Sequence, residues 1–352
     1  MPRTLCLPAT VDATAFRLLN EWQRDFPLEP RPFARIAEAV GEDEASVIAA
    51  YRRLKTQGLV SRVGAVFAPR RLGVSALAAL AAPPDRLAAV AERVSREAAI
   101  NHNYQREHCY NLWFVVTAAS RAHLDEIVGG IERDTGCAVI VLPLEEEFHI
   151  DLGFDLKAQQ ANCGAGCAER RERRAQPAPP DSPGGGPALS ETERRLIATL
   201  QCGLMLEPQP FARLGAAAGL DESETLGHIR RWQAEGLIRR FGVVVRHHEL
   251  GLEANAMCVW DIPDAEVSAL GRRLAGEAAV TLCYRRRRSL PDWPYNLFCM
   301  IHGSARDEVL AEREELARRL GLDAYPHAVL FSCRRFKQTG AQYLGTKDLA
   351  HA

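Results

Sequence analysis

At 352 residues the chain exceeds what one hydrophobic core organises, since single cores stop growing near ~250–300 residues, so two or more domains are expected. Lysine plus arginine number 44 against 45 acidic residues, and a formal charge of -1 excludes a global pull toward nucleic acid or anionic lipid, leaving only local basic sites. No apolar run approaches the ~20 residues that span a bilayer, the N-terminal MPRTLCLPATVDATAF lacks a signal-type apolar region, and the 10 cysteines are scattered through apolar segments, as Cys137 and Cys299 are, so a cytoplasmic protein with no membrane partner is expected.

The chain opens with helical periodicity in ATAFRLLNEWQRDF, followed by two further helical patterns that end at Gly58. Short strands around a turn, LVSRVGAVFAPRRLG, complete the outline of a winged helix-turn-helix over residues 1–72. Then come VSALAALAA, a helix from Asp85 to Arg96, INHNYQRE, YNLWFVVTA, a helix from Arg121 to Thr135 and AVIVLPLEEEF. That β-α-β-β-α-β order predicts a ferredoxin-like sandwich over 73–156, whose sheet needs a partner for its uncovered face. Residues 157–187 include ERRERRAQPAPPDSPGGGP, which cannot bury a core and predicts a linker. Cys163 and Cys167 fall in that stretch without partner ligands, too little for a metal site.

Beyond the linker the chain repeats itself. LMLEPQPFARLGAAAG from Leu204 matches FPLEPRPFARIAEAVG from Phe26, and EGLIRRFGVVVRHHELG matches QGLVSRVGAVFAPRRLG at the same offset. A second winged helix-turn-helix is expected over 188–250 and a second ferredoxin-like domain with a C-terminal tail over 251–352. The expected fold class is α+β: two tandem repeats, each a winged helix-turn-helix followed by a ferredoxin-like βαββαβ sandwich, forming an intrachain pseudo-dimer that could pair again through its edges.

The helices placed to read DNA open with GEDEAS and GLDESE, so Glu42, Asp43, Glu44, Asp221, Glu222 and Glu224 would meet phosphate and repel it. The same acids are also ordinary N-terminal helix stabilisers. Arg52, Arg53, Arg230 and Arg231 follow, where a solvated helix face accounts for them as well as a DNA contact does. DNA is not the expected partner.

One passage is written twice: NHNYQREHCYNLWFVV from Asn101, and TLCYRRRRSLPDWPYNLFCMIHG from Thr281. Strand alternation places His102, Tyr104, Arg106 and His108 on one face, and Leu282, Tyr284, Arg286 and Arg288 on its counterpart, before an insertion, LPDWP. A face carrying His, Arg and His should line a cavity or a subunit contact, because an unpaired buried charge costs several kcal/mol. Arginine forks match carboxylates, so the cluster expects a ligand with several carboxyl groups, while histidine supplies a proton donor near neutral pH. Each type has a plainer role: aromatics pack in strands, a run such as Arg285 to Arg288 makes a solvated edge or a salt-bridge cluster, and single histidines are satisfied within a fold.

A helix-turn-helix followed by such a sandwich resembles the leucine-responsive/asparagine-type transcription regulators. The paired passages, with the segment ends EEEFHIDLGFDL and FSCRRFKQTGAQY, more closely resemble the two subunit types of siroheme decarboxylase, here joined in one chain. The resemblance implies removal of carbon dioxide from the C12 and C18 acetate side chains of siroheme to give 12,18-didecarboxysiroheme, in haem d1 or alternative haem biosynthesis. It implies no cofactor beyond the iron that siroheme carries. On this reading His102 and His108 are candidate proton donors, or one of them a ligand to the siroheme iron, with no metal held by the protein itself; Arg106 helps hold carboxylates and Tyr104 orients a histidine. Tyr110, Asn111, Trp113, His149, Tyr284, Arg285, Arg286, Arg288, Tyr295, Arg335 and Lys337 are candidates for substrate binding. The histidine asymmetry suggests that one half carries the chemistry and the other supports it. Two other readings stay open: a haem-sensing, DNA-binding transcription regulator of the leucine-responsive/asparagine type that binds tetrapyrrole without turnover, and an assembly scaffold, contacting another protein through its acidic helices, that shows neither turnover nor DNA binding.

Overall fold

The computed structural model describes residues 11–68, 71–150, 189–246 and 254–343. The expected linker with Cys163 and Cys167 lies outside them, as do residues 69–70 and 247–253 of the expected wing turns. The chain divides into two compact units that cut across its two halves: Pro2–Gly73 with Gly153–Gly251 and Gln342–Ala352, and Val74–Leu152 with Leu252–Ala341.

In the helical unit the first half supplies α1 (Ala13–Asn20), α2 (Pro32–Val40), α3 (Glu44–Thr56) and β1 (Val60–Phe67). The second supplies α6 (Glu191–Leu200), α7 (Pro210–Ala216), α8 (Glu222–Ala234) and β6 (Ile238–Val245). Three of the acids at the helix openings are caps. Asp43 accepts from the Ser46 amide at 2.9 Å, and Asp221 and Glu224 form a reciprocal capping box that satisfies two orphan N–H groups. Pro32 and Pro210 begin α2 and α7, where their missing N–H costs nothing. Leu18, Leu19, Phe33, Ile36, Tyr51 and Leu54 are buried beneath the first three helices, each large apolar side chain contributing about 1.5–3 kcal/mol.

Each expected wing hairpin is replaced by a ribbon between halves. β1 is a continuous strand that pairs antiparallel with β6, with Gly64 opposite Gly242. The glycine at 242 is required because the chain leaving α1 crosses there: Val243 N donates to Trp22 O at 2.8 Å, and a Cβ on Gly242 would lie 2.5 Å from that same oxygen. Two matched bonds tie the halves again: Arg52 Nη2 donates to Leu206 O at 2.6 Å and Arg230 Nη2 to Leu28 O at 2.5 Å.

The second unit holds β2 (Val74–Leu80), α4 (Leu87–Arg96), β3 (Ile100–Arg106), β4 (Leu112–Ala118), α5 (Arg121–Thr135) and β5 (Val139–Ile150) from the first half. The second half adds β7 (Ala254–Trp260), α9 (Val267–Ala275), β8 (Val280–Arg286), β9 (Leu297–Gly303), α10 (Arg306–Leu320) and β10 (His327–Gln338). The βαββαβ order holds in each half, but the expected sandwich is a closed barrel, ordered β10-β3-β4-β2-β5-β8-β9-β7. The last strand of each half bonds to the hairpin strand of the other, β10 to β3 and β5 to β8, so the barrel has no open edge through which to pair again. Two apolar clusters join the outer barrel face to helices, α4 and α5 in one and α9 and α10 in the other. A third, containing Leu77, Trp113, Leu142, Met257, Phe298 and Leu330, draws on strands of both halves and on no helix, and lies on the inner face of the barrel. Among the described residues no helix is long and apolar enough to cross a membrane.

Candidate active site

Directly paired residues of antiparallel strands share a face. His102 stands opposite Val115 and Tyr104 opposite Trp113, while Leu282 stands opposite Met300 and Tyr284 opposite Phe298. Since Trp113, Met300 and Phe298 belong to the interior cluster, these positions face into the barrel. Asn103 takes the other face, its Nδ2 donating to Ala91 O and Ser95 Oγ on α4.

Arg106 closes the inward row of β3. It is buried, its Nη1 donates to Leu330 O at 2.9 Å, and its guanidinium lies 5.9 Å from the Tyr104 ring centroid. Among the described residues it meets a carbonyl and a ring but no carboxylate, and burial holds its pKa below the ordinary arginine value. Arg286 is its counterpart, donating Nη1 to Leu142 O at 2.8 Å and lying 4.5 Å from the Tyr284 ring centroid. His102 Nδ1 is 2.8 Å from Asn101 Oδ1, and Asn101 Nδ2 donates to Thr117 Oγ1 at 3.2 Å. This arrangement assigns the Nδ1 proton of His102 to the amide oxygen, so protonation changes fall on Nε2.

The expected face does not extend to His108. β3 ends at Arg106, and the rise from His102 to Arg106 alone is about 13 Å, so the two histidines sit toward opposite ends of the strand. His108 Nδ1 accepts from Tyr110 N at 3.1 Å; a backbone amide only donates, so the proton of the neutral ring is on Nε2. Burial lowers the pKa of His108. Its ring meets Trp293 edge-on at 5.3 Å, and Trp293, from the LPDWP insertion, also packs on Tyr110 (6.2 Å), Trp113 (4.9 Å) and Tyr295 (5.0 Å). Trp293 is fully buried, with no acceptor for its Nε1 among the described residues.

The arginine run splits by the same geometry. Only Arg286 turns inward; β8 ends there, so Arg288 does not continue the face. Arg288 donates to Asp261 Oδ1 at 2.7 Å, to Asp264 Oδ1 at 2.9 Å and to the carbonyls of Pro294 and Ile262. Arg285 pairs with Glu145 and Asp264, both at 2.9 Å, and Arg287 approaches Glu145 at 3.4 Å. The Arg288 fork holds the Asp264 carboxyl below the usual range. Arg285 and Arg288, expected at a substrate fringe, are thus engaged by the chain's own acids and brace the long hairpin.

The asparagines are also engaged by the fold. Asn111 Oδ1 accepts from Ala82 N at 2.9 Å while its Nδ2 donates to Ala82 O at 2.8 Å; Asn296 makes the same pair with Ile262, at 3.0 and 2.9 Å. Lys337 Nζ donates to Ser95 O and Glu97 O at the C-terminal end of α4, and burial lowers its pKa. Arg335 is exposed opposite Tyr104, with Nη1 donating to Gln338 Oε1 at 3.2 Å. His149 stands opposite Cys283 on β8.

The structure therefore brings His102, Tyr104, Arg106 and Arg335 together on the inner face and gathers His108, Tyr110, Trp113 and Tyr295 around Trp293. Sequence reasoning took LPDWP as a lengthened turn and missed Trp293, and it missed Asp261, Asp264 and Glu145 as arginine partners. A tryptophan between two prolines in an insertion was the only hint. Among the described residues no group of three histidine, cysteine or acidic side chains could hold a metal ion.

Residues 71–149 and 249–337 match the family described as the AsnC-like ligand binding domain, and residues 16–60 and 193–239 match the siroheme decarboxylase NirDL-like HTH domain. The chain is 44% identical over 334 residues to the siroheme decarboxylase NirDL subunit of Paracoccus denitrificans, covering 94% of this chain and 98% of that one. It is 30% identical over 330 residues to the siroheme decarboxylase of Hydrogenobacter thermophilus, covering 93% and 94%. A crystal structure of the siroheme decarboxylase NirDL in co-complex with an iron-uroporphyrin III analogue superposes with a TM-score of 0.66 at 26% identity, covering 96% of each chain.

Proposed function

The chain belongs to the siroheme decarboxylase family of NirDL type, and on that premise we propose that it removes carbon dioxide from the C12 and C18 acetate side chains of siroheme, leaving 12,18-didecarboxysiroheme for haem d1 or alternative haem biosynthesis. The observation that carries the reading into this molecule is Arg106: a buried guanidinium facing the barrel interior that meets no carboxylate among the described residues suits an anionic ligand. The interior cluster supplies apolar and aromatic wall against which a flat macrocycle packs.

The chemistry is redox-neutral. The bond between the acetate methylene and its carboxylate breaks, carbon dioxide leaves, and the electron pair stays on the methylene carbon, where the conjugated macrocycle accepts it. One proton delivered to that carbon completes the methyl group, so no oxidant, reductant or organic cofactor is needed, and the iron is the substrate's own. We assign the donor role to His102, whose Nδ1 is held by Asn101 so that Nε2 exchanges the proton, and the carboxylate-holding role to Arg106 and Arg335, with Tyr104 between them. His108, at the Trp293 end, is the alternative donor or iron ligand.

We further propose that the chain is a fusion of two copies, each a helix-turn-helix followed by a ferredoxin-like βαββαβ module, with divisions near 72, 156, 187 and 250, and that it works in the cytoplasm. DNA readout is disfavoured by the commitments of its helices: Asp43 and Asp221 cap, Arg52 and Arg230 bond to loop carbonyls of the opposite half, and Arg231 pairs with Glu193. Anaerobic incubation of the protein with siroheme, followed by mass spectrometry of the extracted tetrapyrrole, tests the reading. Loss of two carboxyl groups supports it; siroheme recovered unchanged from folded protein overturns it.

A further inference from the structure

The two halves build the same constellation twice, and the duplication can be followed bond by bond. Arg106 N donates to Asn111 O and Arg286 N to Asn296 O, both at 2.9 Å. The Arg106 and Arg286 guanidinia reach the carbonyls of Leu330 and Leu142 on the last strand of the opposite half. Glu107 N and Arg287 N donate to the next carbonyls on those strands, Phe331 O and Pro143 O, both at 3.0 Å. From these fixed points the register runs outward identically: Tyr104 is opposite Arg335 and His102 opposite Gln338, while Tyr284 is opposite Glu147 and Leu282 opposite Ile150. A register shift in β5 between Leu144 and Glu146 and one in β10 between Ser332 and Arg334 occur at the same place, so Glu147 and Arg335 hold equivalent inward positions.

The side chains at these equivalent positions differ in the respects that matter to an anion. The first set is His102, Tyr104, Arg106 and Arg335; the second is Leu282, Tyr284, Arg286 and Glu147. Histidine has become leucine, and an arginine has become a carboxylate. The tyrosines also differ in enclosure: Tyr284 is 8% exposed within the interior cluster with Arg286 stacked on its ring at 4.5 Å, whereas Tyr104 is half-buried and its arginine stands 5.9 Å away, although Arg106 itself is buried and Arg286 half-buried.

We propose that the barrel binds one tetrapyrrole per chain, its carboxylates held by the first set, and that Glu147 and Leu282 close the equivalent place to a second. The inference rests on the siroheme reading above and deepens it: Glu147 rejects by like-charge repulsion what Arg335 attracts, and Leu282 removes the proton donor from that side. The two-fold repeat then has one working face.

The test is a tight-binding absorbance titration of the full chain with iron-uroporphyrin III, alongside Arg335→Gln and Glu147→Gln variants. One equivalent bound, Kd raised at least about tenfold in Arg335→Gln, and Kd moved less than about twofold in Glu147→Gln are the expected results. Two equivalents, or a Glu147→Gln variant weakened as much as Arg335→Gln, would overturn the inference while leaving the siroheme reading intact. Wild-type protein that binds no tetrapyrrole at any concentration sinks both.

Discussion

His108 and Trp293 meet edge-on with ring centroids 5.3 Å apart and planes at 74°, although one belongs to the first hairpin and the other to an insertion found only in the second. The contact makes Trp293 a plug shared by both halves, since the same indole packs on Tyr110, Trp113 and Tyr295. Trp293→Ala should cost about 3–5 kcal/mol in stability and Trp293→Phe distinctly less, read by chemical denaturation. Equal, negligible costs for both would mean that the insertion is not part of the core.

The pH dependence of stability should carry the mark of His108. Burial lowers its folded-state pKa, so between that value and the ordinary histidine value the unfolded chain binds the extra proton. Its contribution is therefore fully present above about pH 6.5 and is lost as pH falls through the folded pKa. On moving from neutral to mildly acidic buffer, the wild type should lose more stability than His108→Gln. Parallel losses in the two proteins would show that this ring does not carry the proton uptake.

Asn111 and Asn296 are predicted to act through the fold. Each uses one amide to satisfy both backbone groups of a single residue, Ala82 or Ile262, at the start of the connection to the next helix. Removing either side chain leaves those groups without their partner, so Asn296→Ala and Asn111→Ala should each lose about 1–3 kcal/mol. A Kd for iron-uroporphyrin III that rises tenfold in Asn111→Ala, with unchanged stability, would instead place that amide against the ligand.

Arg288→Met should lower the stability of the protein by about 1–2 kcal/mol while leaving tetrapyrrole affinity within about twofold, because its fork is taken by Asp261, Asp264 and two carbonyls and the cluster is only partly buried. Calorimetry and the same titration decide it. A large loss of affinity would return Arg288 to the substrate fringe.

Fluorescence anisotropy with duplex DNA should detect no salt-sensitive binding by the full chain, since Arg52 and Arg230 hold the opposite half's loops and the helix openings are acidic caps. A Kd that weakens steeply as salt is raised would revive the sensor.

What the sequence by itself determined was the helices, the order of the elements and the internal repeat. The helices of both halves are marked by Asp43 and Asp221, by Pro32 and Pro210, and by apolar periodicity, all of which act within a few residues. The doubled hairpin and its inward row from His102 to Arg106 followed from strand alternation, and the paired motifs carried the family. Only the tertiary structure decided the rest. Pairing of β1 with β6, β3 with β10 and β5 with β8 joins segments whose ladders are backbone hydrogen bonds, which carry no side-chain code. Bulges in β5 and β10 shift the alternation by one residue, and so decide that Glu147 and Arg335 face inward. The fate of each arginine is likewise a matter of distance in space: Arg285 and Arg288 fold onto acids from other elements, whereas Arg106 is buried where the chain offers it a carbonyl and a ring.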